Sequence, residues 1–355
     1  MRTSHPRVLG LVVGAAVLLG ASACSPAAPA GSPSAGATAT SEAAPGLLPA
    51  AEGRTTFPLT LTSPWGETVL EKRPERIATV TPSQDDVESV VALGGTPAIA
   101  SEWATDAFIV ESLTQEIPLR FTTGDSQFPV EQIAAAKPDL IIALGTDLTD
   151  DYDKLASIAP VLAATTSGGS EKSVAATWED NLRRIGEALD LQDAAEAALQ
   201  AQDDFFTDFR AQHPEFAGLT ATYVVYYGAE NGLQYHSSPD GPATWVFEQL
   251  GFAENPRAAE FSYRQAVSNE LLSKIDADII ILSDNSDGNH AEITGQPLFQ
   301  SLSGEVVIID NRSADGVFVI DGTEYEGNLP WALARSGPLS ATWAARQLGT
   351  VLQGV

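Results

Sequence analysis

Short apolar runs, each entered from a polar stretch, recur along the chain and set the expected architecture. Arg76–Val80 reads as a strand, and Gln84–Leu93 as an amphipathic helix stopped by Gly94 and Gly95. Pro97–Ala100 is the next strand, followed by a loop carrying Trp103. Val130–Ala136 and Leu140–Leu144 form a helix–strand pair, and Tyr152–Ile158 a short helix before the strand Val161–Ala164. Strand and helix in alternation imply a largely parallel sheet. A long helical stretch follows over 173–212, with a break suggested by Gly186, Leu189 and Asp190. Its second part, Asp193–Gln212, ends before Pro214. A helix of roughly 20 residues is about 30 Å long, enough to run along two lobes as a strut. Beyond it the pattern predicts a strand at Ala221–Tyr227, the segment Gln234–His236, and a helix at Thr244–Leu250 ending at Gly251. A strand at Val306–Asp310 and a terminal helix at Leu339–Leu352 complete the series.

One unit occurs twice. Glu131-Gln-Ile-Ala-Ala-Ala-Lys-Pro-Asp139 leads into Leu140-Ile-Ile-Ala-Leu144, and Glu270-Leu-Leu-Ser-Lys-Ile-Asp-Ala-Asp278 leads into Ile279-Ile-Ile-Leu282. In each a Glu stands eight residues before an Asp that opens a continuously apolar run, the form of a helical turn feeding a buried parallel strand. Two such units imply two similar α/β lobes with a cleft between them, a natural ligand site.

The N-terminus changes the compartment. Arg2 and Arg7 precede an apolar stretch from Val8 to Leu19, too short to span a bilayer comfortably, so residues 1–23 read as an export signal. Gly20-Ala-Ser-Ala-Cys24 resembles the lipobox of a bacterial lipoprotein, departing from it at Ala21, where Leu is usual. Cys24 is the only Cys in 355 residues, which leaves no disulfide, no CxxC metal site and no thiol catalysis. Its place at the cleavage point favours lipidation over simple secretion after Ala23. Residues 24–55 are dominated by Ala, Pro, Ser, Gly and Thr and read as a flexible tether with a reach of about 30 Å. The remaining body divides into an N-terminal lobe at 56–172, a helical segment at 173–213 and a C-terminal lobe at 214–355.

Charge narrows the partners. The chain carries a net charge of −28. Removal of Arg2 and Arg7 leaves 17 basic against 47 acidic residues, a net of −30. Such a surface repels nucleic acid. No second hydrophobic segment is long enough to cross a membrane.

Several motifs together resemble the iron–siderophore substrate-binding proteins of ABC importers, a family that includes vitamin B12 binders. The matches are Arg73-Pro-Glu-Arg-Ile77, Glu88 to Gly94, Val130 to Ile142, Leu148 to Pro160, His213 to Gly218, Val267 to Leu272 and Ser336-Gly-Pro-Leu-Ser340. They cover about residues 57–350, and the stretch over 148–160 resembles the siderophore branch in particular. The resemblance implies an α/β protein of two Rossmann-like lobes with mainly parallel sheets, joined by one long rigid interdomain helix. It implies a monomer that holds a ferric siderophore in a shallow cleft, moves little between lobes, and delivers the chelate to a two-fold permease served by an ATPase. No cofactor and no enzymatic step is expected.

The resemblance carries over to residues by position. Glu131 and Glu270 match the glutamates that dock, one per lobe, into basic pockets of the permease. Complementary charge there sets register and encounter rate. Cleft positions are Trp103, the loop 125–128 with Gln127 and Phe128, Tyr227, Arg264 and Trp331, with Tyr235 added as a hairpin neighbour. Aromatic walls and a guanidinium suit an iron centre wrapped in oxygen and carbon. Arg120 and Tyr263 are secondary candidates, and Trp178 and Trp245 are assigned to packing.

Other readings compete. A metal-ion receptor needs several His and carboxylate ligands at one point, and the mature chain offers His213, His236 and His290 with no HxH or HxxxH pair. Haem and cobalamin receptors share the fold, with Tyr227, Tyr235 and His236 as possible axial ligands for haem. An exported hydrolase lacks GxSxG and any recognisable triad. A signalling or scaffold lipoprotein would keep the fold without a ligand-sized cleft.

Overall fold

The computed structural model describes residues 46–81, 84–122, 128–144, 146–164 and 177–353. Cys24 and Gln127 lie outside them. Each apolar run of the N-terminal half becomes a strand because it is covered on both faces. The strands are β3 (Ile77–Thr79), β4 (Ile99–Ser101), β5 (Leu119–Phe121), β6 (Leu140–Ala143) and β7 (Val161–Ala163), preceded by a separate antiparallel hairpin of β1 (Leu59–Ser63) and β2 (Gly66–Leu70). The five pair in parallel in the order β5-β4-β3-β6-β7. The helices between them are α1 (Asp85–Ala92), α2 (Ala107–Val110), α3 (Val130–Ala135) and α4 (Tyr152–Ala156). Strand order reverses between β3 and β6, and in open α/β sheets ligands bind beyond the carboxyl ends at that point.

The central helical segment is two helices. α5 (Trp178–Leu189) begins at Thr177, whose hydroxyl accepts from the Asp180 amide at 3.2 Å, and ends at Asp190 in the left-handed region with φ 53°. α6 (Gln192–Gln212) packs closely on it because residue 186 is glycine. A Cβ there would lie 2.9 Å from the Ala195 Cβ. α6 buries Ala195, Gln202, Phe206 and Phe209 along one face.

The expectation of a free tether over 24–55 is corrected for residues 48–55, while 24–45 lie outside the described residues. The Asp190 carboxylate accepts from the amides of Gly53, Arg54 and Thr55 at 2.7–2.9 Å. The Glu52 carboxylate accepts from the Asp193 and Ala194 amides at the start of α6, at 2.6 and 2.9 Å. Leu48 packs on the N-terminal core. These anchors are two carboxylates set on free backbone donors, Glu52 at the start of a helix and Asp190 on a loop, and composition does not reveal them.

The C-terminal sheet is mixed, not mainly parallel. Its strands are β8 (Ala221–Tyr226), β9 (Leu233–Tyr235), β10 (Gln265–Val267), β11 (Ile279–Asp284), β12 (Glu305–Arg312), β13 (Val317–Ile320) and β14 (Thr323–Glu326), in the order β10-β9-β8-β11-β12-β13-β14. Only β8, β11 and β12 run parallel. The flanking pairs are antiparallel; β8–β9, β12–β13 and β13–β14 are joined by short connections, whereas β9 and β10 are separated by a stretch that contains the helix Pro242–Leu250. β13 and β14 turn at Asp321 and Gly322, both with positive φ, an Asp-Gly hairpin signal present in the sequence. Helices α7 (Gly228–Asn231), α8 (Pro242–Leu250), α9 (Ala291–Thr294), α10 (Pro297–Gln300), α11 (Leu329–Leu333) and α12 (Ser340–Val351) complete the fold. The second copy of the echoed turn, Asn269–Ile275, is a 3-10 helix.

The echo has a structural cause. Asp139 accepts from the amides of Glu75 and Arg76 at 2.8–3.0 Å, just before β3. Asp278 accepts from the amide and hydroxyl of Thr220 at 2.7 and 2.8 Å, just before β8. In each sheet the aspartate closes the open end of a parallel pair, β3–β6 or β8–β11, and the donors at Thr220 hold the Asp278 carboxyl below the usual range. One core cluster joins α1 and α2 residues such as Val87 and Phe108 with Phe206 of α6 and with Tyr223 and Trp343 of the C-terminal half. Apolar packing is therefore continuous from one sheet to the other. Replacing Asp139 by Ala removes the clasp and is expected to lower stability by about 1–2 kcal/mol, read as a lower urea midpoint with an unchanged m-value.

Candidate functional site

The strand ends build a basin. β8 alternates, with Val224 and Tyr226 in one core and Tyr223 and Val225 turned to the other side. Tyr223, Val225 and, just past the strand, Tyr227 line a cavity of about 670 Å³, joined by Asn285 after β11 and by Asn311 and Ser313 from the end of β12. These are the carboxyl ends of the three parallel strands, the position expected for a ligand. His236 follows β9 on the same side and stands against Tyr223, Tyr227 and Tyr263, with ring centroids 5.4–6.3 Å apart. Arg264 sits at the basin with φ 60°, its amide donating to the Tyr235 carbonyl at 2.8 Å.

A second cavity, about 500 Å³, shares Ser313, Asn328 and Trp331 with the basin and is closed from the N-terminal side by Gln84, Trp103, Thr105 and Asp106. Trp331 is placed by the start of α11, where the Asn328 side chain accepts from its amide at 3.1 Å. The Arg335 guanidinium lies 3.9 Å over the Trp331 ring and 3.7 Å from Asp85. Behind Arg335 a third cavity of about 230 Å³ contains Asp86 and Glu88.

Glu88 joins elements distant in sequence. Its carboxylate, fully buried on α1, accepts from the amides of Leu339 and Ser340 and from the Ser340 hydroxyl at 2.6–2.8 Å, at the start of α12. Gln202 of α6 donates to the Gly337 carbonyl at 3.1 Å. Residue 337 is glycine because a Cβ would meet the Glu88 carboxylate at 2.6–2.8 Å. Asp86 accepts from the Thr81 hydroxyl and from the Leu144 amide, tying β3 to β6 at the switch point.

Burial decides the charge states. It pushes Glu88 up to about 7 against its donors, Asp86 to about 6 and Asp106 to about 6. Burial, followed by the nearby Arg264 charge, pushes His236 down to about 4, so its imidazole is neutral at pH 7. Tyr223, Tyr227 and Tyr263 are raised by burial and stay protonated. Among the described residues the fixed charges of the basin are thus Arg264 and Arg335, and no Asp or Glu lines it. Among the described residues, both His236 nitrogens, Trp331 Nε1 and Arg335 Nε are buried without a hydrogen-bond partner, a condition that buried polar groups seldom keep once a site is filled.

Of the residues expected in the cleft, Tyr227, Arg264 and Trp331 line the basin, and Trp103 and Trp331 line the second cavity. Tyr235 is corrected. It is fully buried and stacks on Phe261 at 4.1 Å, because the period of two turns it away from His236. Phe128 packs, half-buried, on the N-terminal core. Arg120 donates to the carbonyls of Ser101 and Ala104, supporting the loop of Trp103. Tyr263 lines the basin. Trp178 and Trp245 pack edge to face at 6.1 Å. Glu131 and Glu270 are exposed in the first turns of α3 and of the 3-10 helix and make no side-chain hydrogen bond or ion pair among the described residues. The same residues contain no group of three or more potential metal ligands. Sequence reasoning missed Tyr223, Asn285, Asn311, Asn328 and Arg335 as lining residues and weighed His236 only as a metal or haem ligand. Asn328-Leu-Pro-Trp331 is a legible helix start, whereas the others lie at strand ends that only the sheet order brings together.

A sequence profile described as periplasmic binding protein matches residues 77–304. The probable siderophore-binding lipoprotein YfiY of Bacillus subtilis is 27% identical over 216 residues, 58% of this chain and 62% of its own length. The Fe(3+)-citrate-binding protein YfmC of Bacillus subtilis is 29% identical over 223 residues, 62% of this chain and 66% of its own length. The chain thus spans a little under two thirds of these curated relatives. A periplasmic solute binding protein from Mycobacterium smegmatis superposes with a TM-score of 0.62 at 25% identity, covering 83% of this chain and 97% of that one.

Between pH 4.5 and about 7 the folded chain keeps a proton on Glu88 that the unfolded chain releases. Its stabilising contribution is full at the acid end and lost as pH rises through about 7. His236, depressed from 6.5 to about 4, acts in the opposite sense as pH falls. The clean readout is therefore a difference: the stability of Glu88→Gln minus that of the parent should grow from pH 5 to 7.5 in denaturant titrations. A pH-independent difference would contradict the assignment.

Proposed function

The chain belongs to the periplasmic binding protein family, and on that premise we propose that it captures a ferric siderophore between its two sheets and delivers it to an ABC importer. In this reading Cys24 carries the lipid that holds the protein at the outer face of the cytoplasmic membrane, and the protein acts as a monomer without catalysis. The observation that carries the proposal is the basin itself. In a chain of net charge −28 it is lined by aromatic side chains, amides and two guanidiniums, with no carboxylate among the described residues. Flat apolar walls with a few placed donors suit a compact oxygen-coordinated iron centre wrapped in carbon. The curated relatives are named for siderophore and ferric citrate binding, which agrees with that chemistry.

Delivery is assigned to Glu131 and Glu270. Both are exposed carboxylates at the same point of a repeated unit, an arrangement able to meet a two-fold permease. Tyr227, Arg264, Trp103 and Trp331 are the proposed ligand contacts.

Tryptophan fluorescence of the full chain, titrated with ferric hydroxamate, catecholate and carboxylate chelates, should show saturable quenching by at least one class, since Trp103 and Trp331 line the cavities. Quenching by haem or cobalamin alone would move the function to that ligand, and silence toward all of them would favour a signalling or scaffold role. Replacing both Glu131 and Glu270 by Ala should leave chelate affinity unchanged and reduce iron uptake by cells at least tenfold. Unchanged uptake would remove the docking role.

A further inference from the structure

The charge pattern of the basin bears on which ferric chelates enter it. The chain has 47 acidic residues, yet among the described residues none lines the basin. Several arginines elsewhere are committed to partners: Arg183 to Glu196 at 2.9 Å, Arg312 to Asp310 at 2.8 Å, and Arg120 to two carbonyls. Arg264 differs. Among the described residues no carboxylate lies within ion-pair distance of it, and its side-chain partners are neutral: the Gln234 amide oxygen at 3.5 Å and the Tyr227 hydroxyl. Its backbone is held at φ 60°, a region that residues with a Cβ enter only when the surroundings enforce it. Here the enforcement is the hydrogen bond that the Arg264 amide donates to the Tyr235 carbonyl and the pairing of Gln265 with Tyr235 that follows at once.

We propose that the ligand is a ferric chelate of net negative charge, and that Arg264 reads that charge. The proposal rests on the assignment of the cleft to ferric chelates and narrows it. Arg335 adds a second guanidinium, partly offset by Asp85 at 3.7 Å. The three tyrosines and His236 supply neutral polar groups, so the arginines alone set the sign. Asp106, in the adjoining cavity, is pushed up to about 6 by burial, and acids farther off act weakly because at physiological salt the screening length is about 8 Å. A neutral chelate in the basin would take water from Arg264 without returning a counter-charge, which disfavours it relative to an anion.

The test uses the full chain and three probes: ferric citrate, a ferric tris-catecholate and a charge-neutral ferric trihydroxamate. At least one anionic probe should bind ten or more times tighter than the neutral one. Arg264→Gln should weaken that anionic probe roughly 10- to 100-fold, the range of a charge-assisted hydrogen bond, while changing the neutral probe less than threefold. Arg264→Lys should recover part of the loss. Arg264→Gly, which suits the left-handed backbone, repeats the measurement should the glutamine variant fold poorly. Tighter binding of the neutral probe, or an equal loss for both kinds, overturns the charge assignment and leaves the ferric-chelate reading standing. Binding of no probe overturns both.

Discussion

The Glu88 carboxylate at the start of α12 is the contact on which the cleft depends. It leaves a helix of the N-terminal sheet and satisfies backbone donors that the last helix of the chain presents. Those donors would otherwise be buried and unpaired, at a cost of about 1–3 kcal/mol each. The turn it holds, residues 335–340, also receives Gln202 from α6 and carries Arg335 over Trp331. One acid therefore sets where the C-terminal wall of the cleft stands relative to the N-terminal half. The core cluster that continues from Val87 and Phe108 through Phe206 to Trp343 supports the same geometry. A packed core resists continuous deformation, so the cavities rest on a stiff frame.

That frame separates two electrostatic environments. Asp86 and Glu88 lie behind the cleft and Asp106 in its second cavity, and burial raises all three toward neutrality. The basin presents guanidiniums, phenols and an imidazole pushed down by burial. The strongly acidic composition is thus no guide to the site. What the basin offers a ligand is opposite in sign to what the chain offers as a whole.

Much of the fold was legible because hydrophobic period maps onto strand and helix when both faces are covered. β3, β6, β7, β8 and β11 fall where the apolar runs lie, and α6 begins within a residue of its expected start. The echoed units were visible because the same clasp, an aspartate on the amides before a neighbouring strand, recurs in both sheets. The antiparallel flanks were harder, since β9, β10 and β14 are three or four residues long and show little periodicity. Docking of residues 47–55 was hidden because it depends on Asp190 and Glu52 meeting backbone amides across more than a hundred residues of sequence. The site shows the same divide. Arg264 and Trp331 were found by position, whereas Arg335, Asn285 and Asn311 belong to the basin only through sheet order. Tyr235 was misplaced by one residue of strand alternation, and its neighbour His236 occupies the place assigned to it.

The most direct test of the central claim is anomalous scattering at the iron edge from crystals of the chain grown with a ferric chelate that quenches its fluorescence. The account predicts one iron peak inside the basin bounded by Tyr227, Arg264 and Trp331, with chelate oxygens facing Arg264. An ordered iron peak elsewhere, with the basin empty, would contradict it.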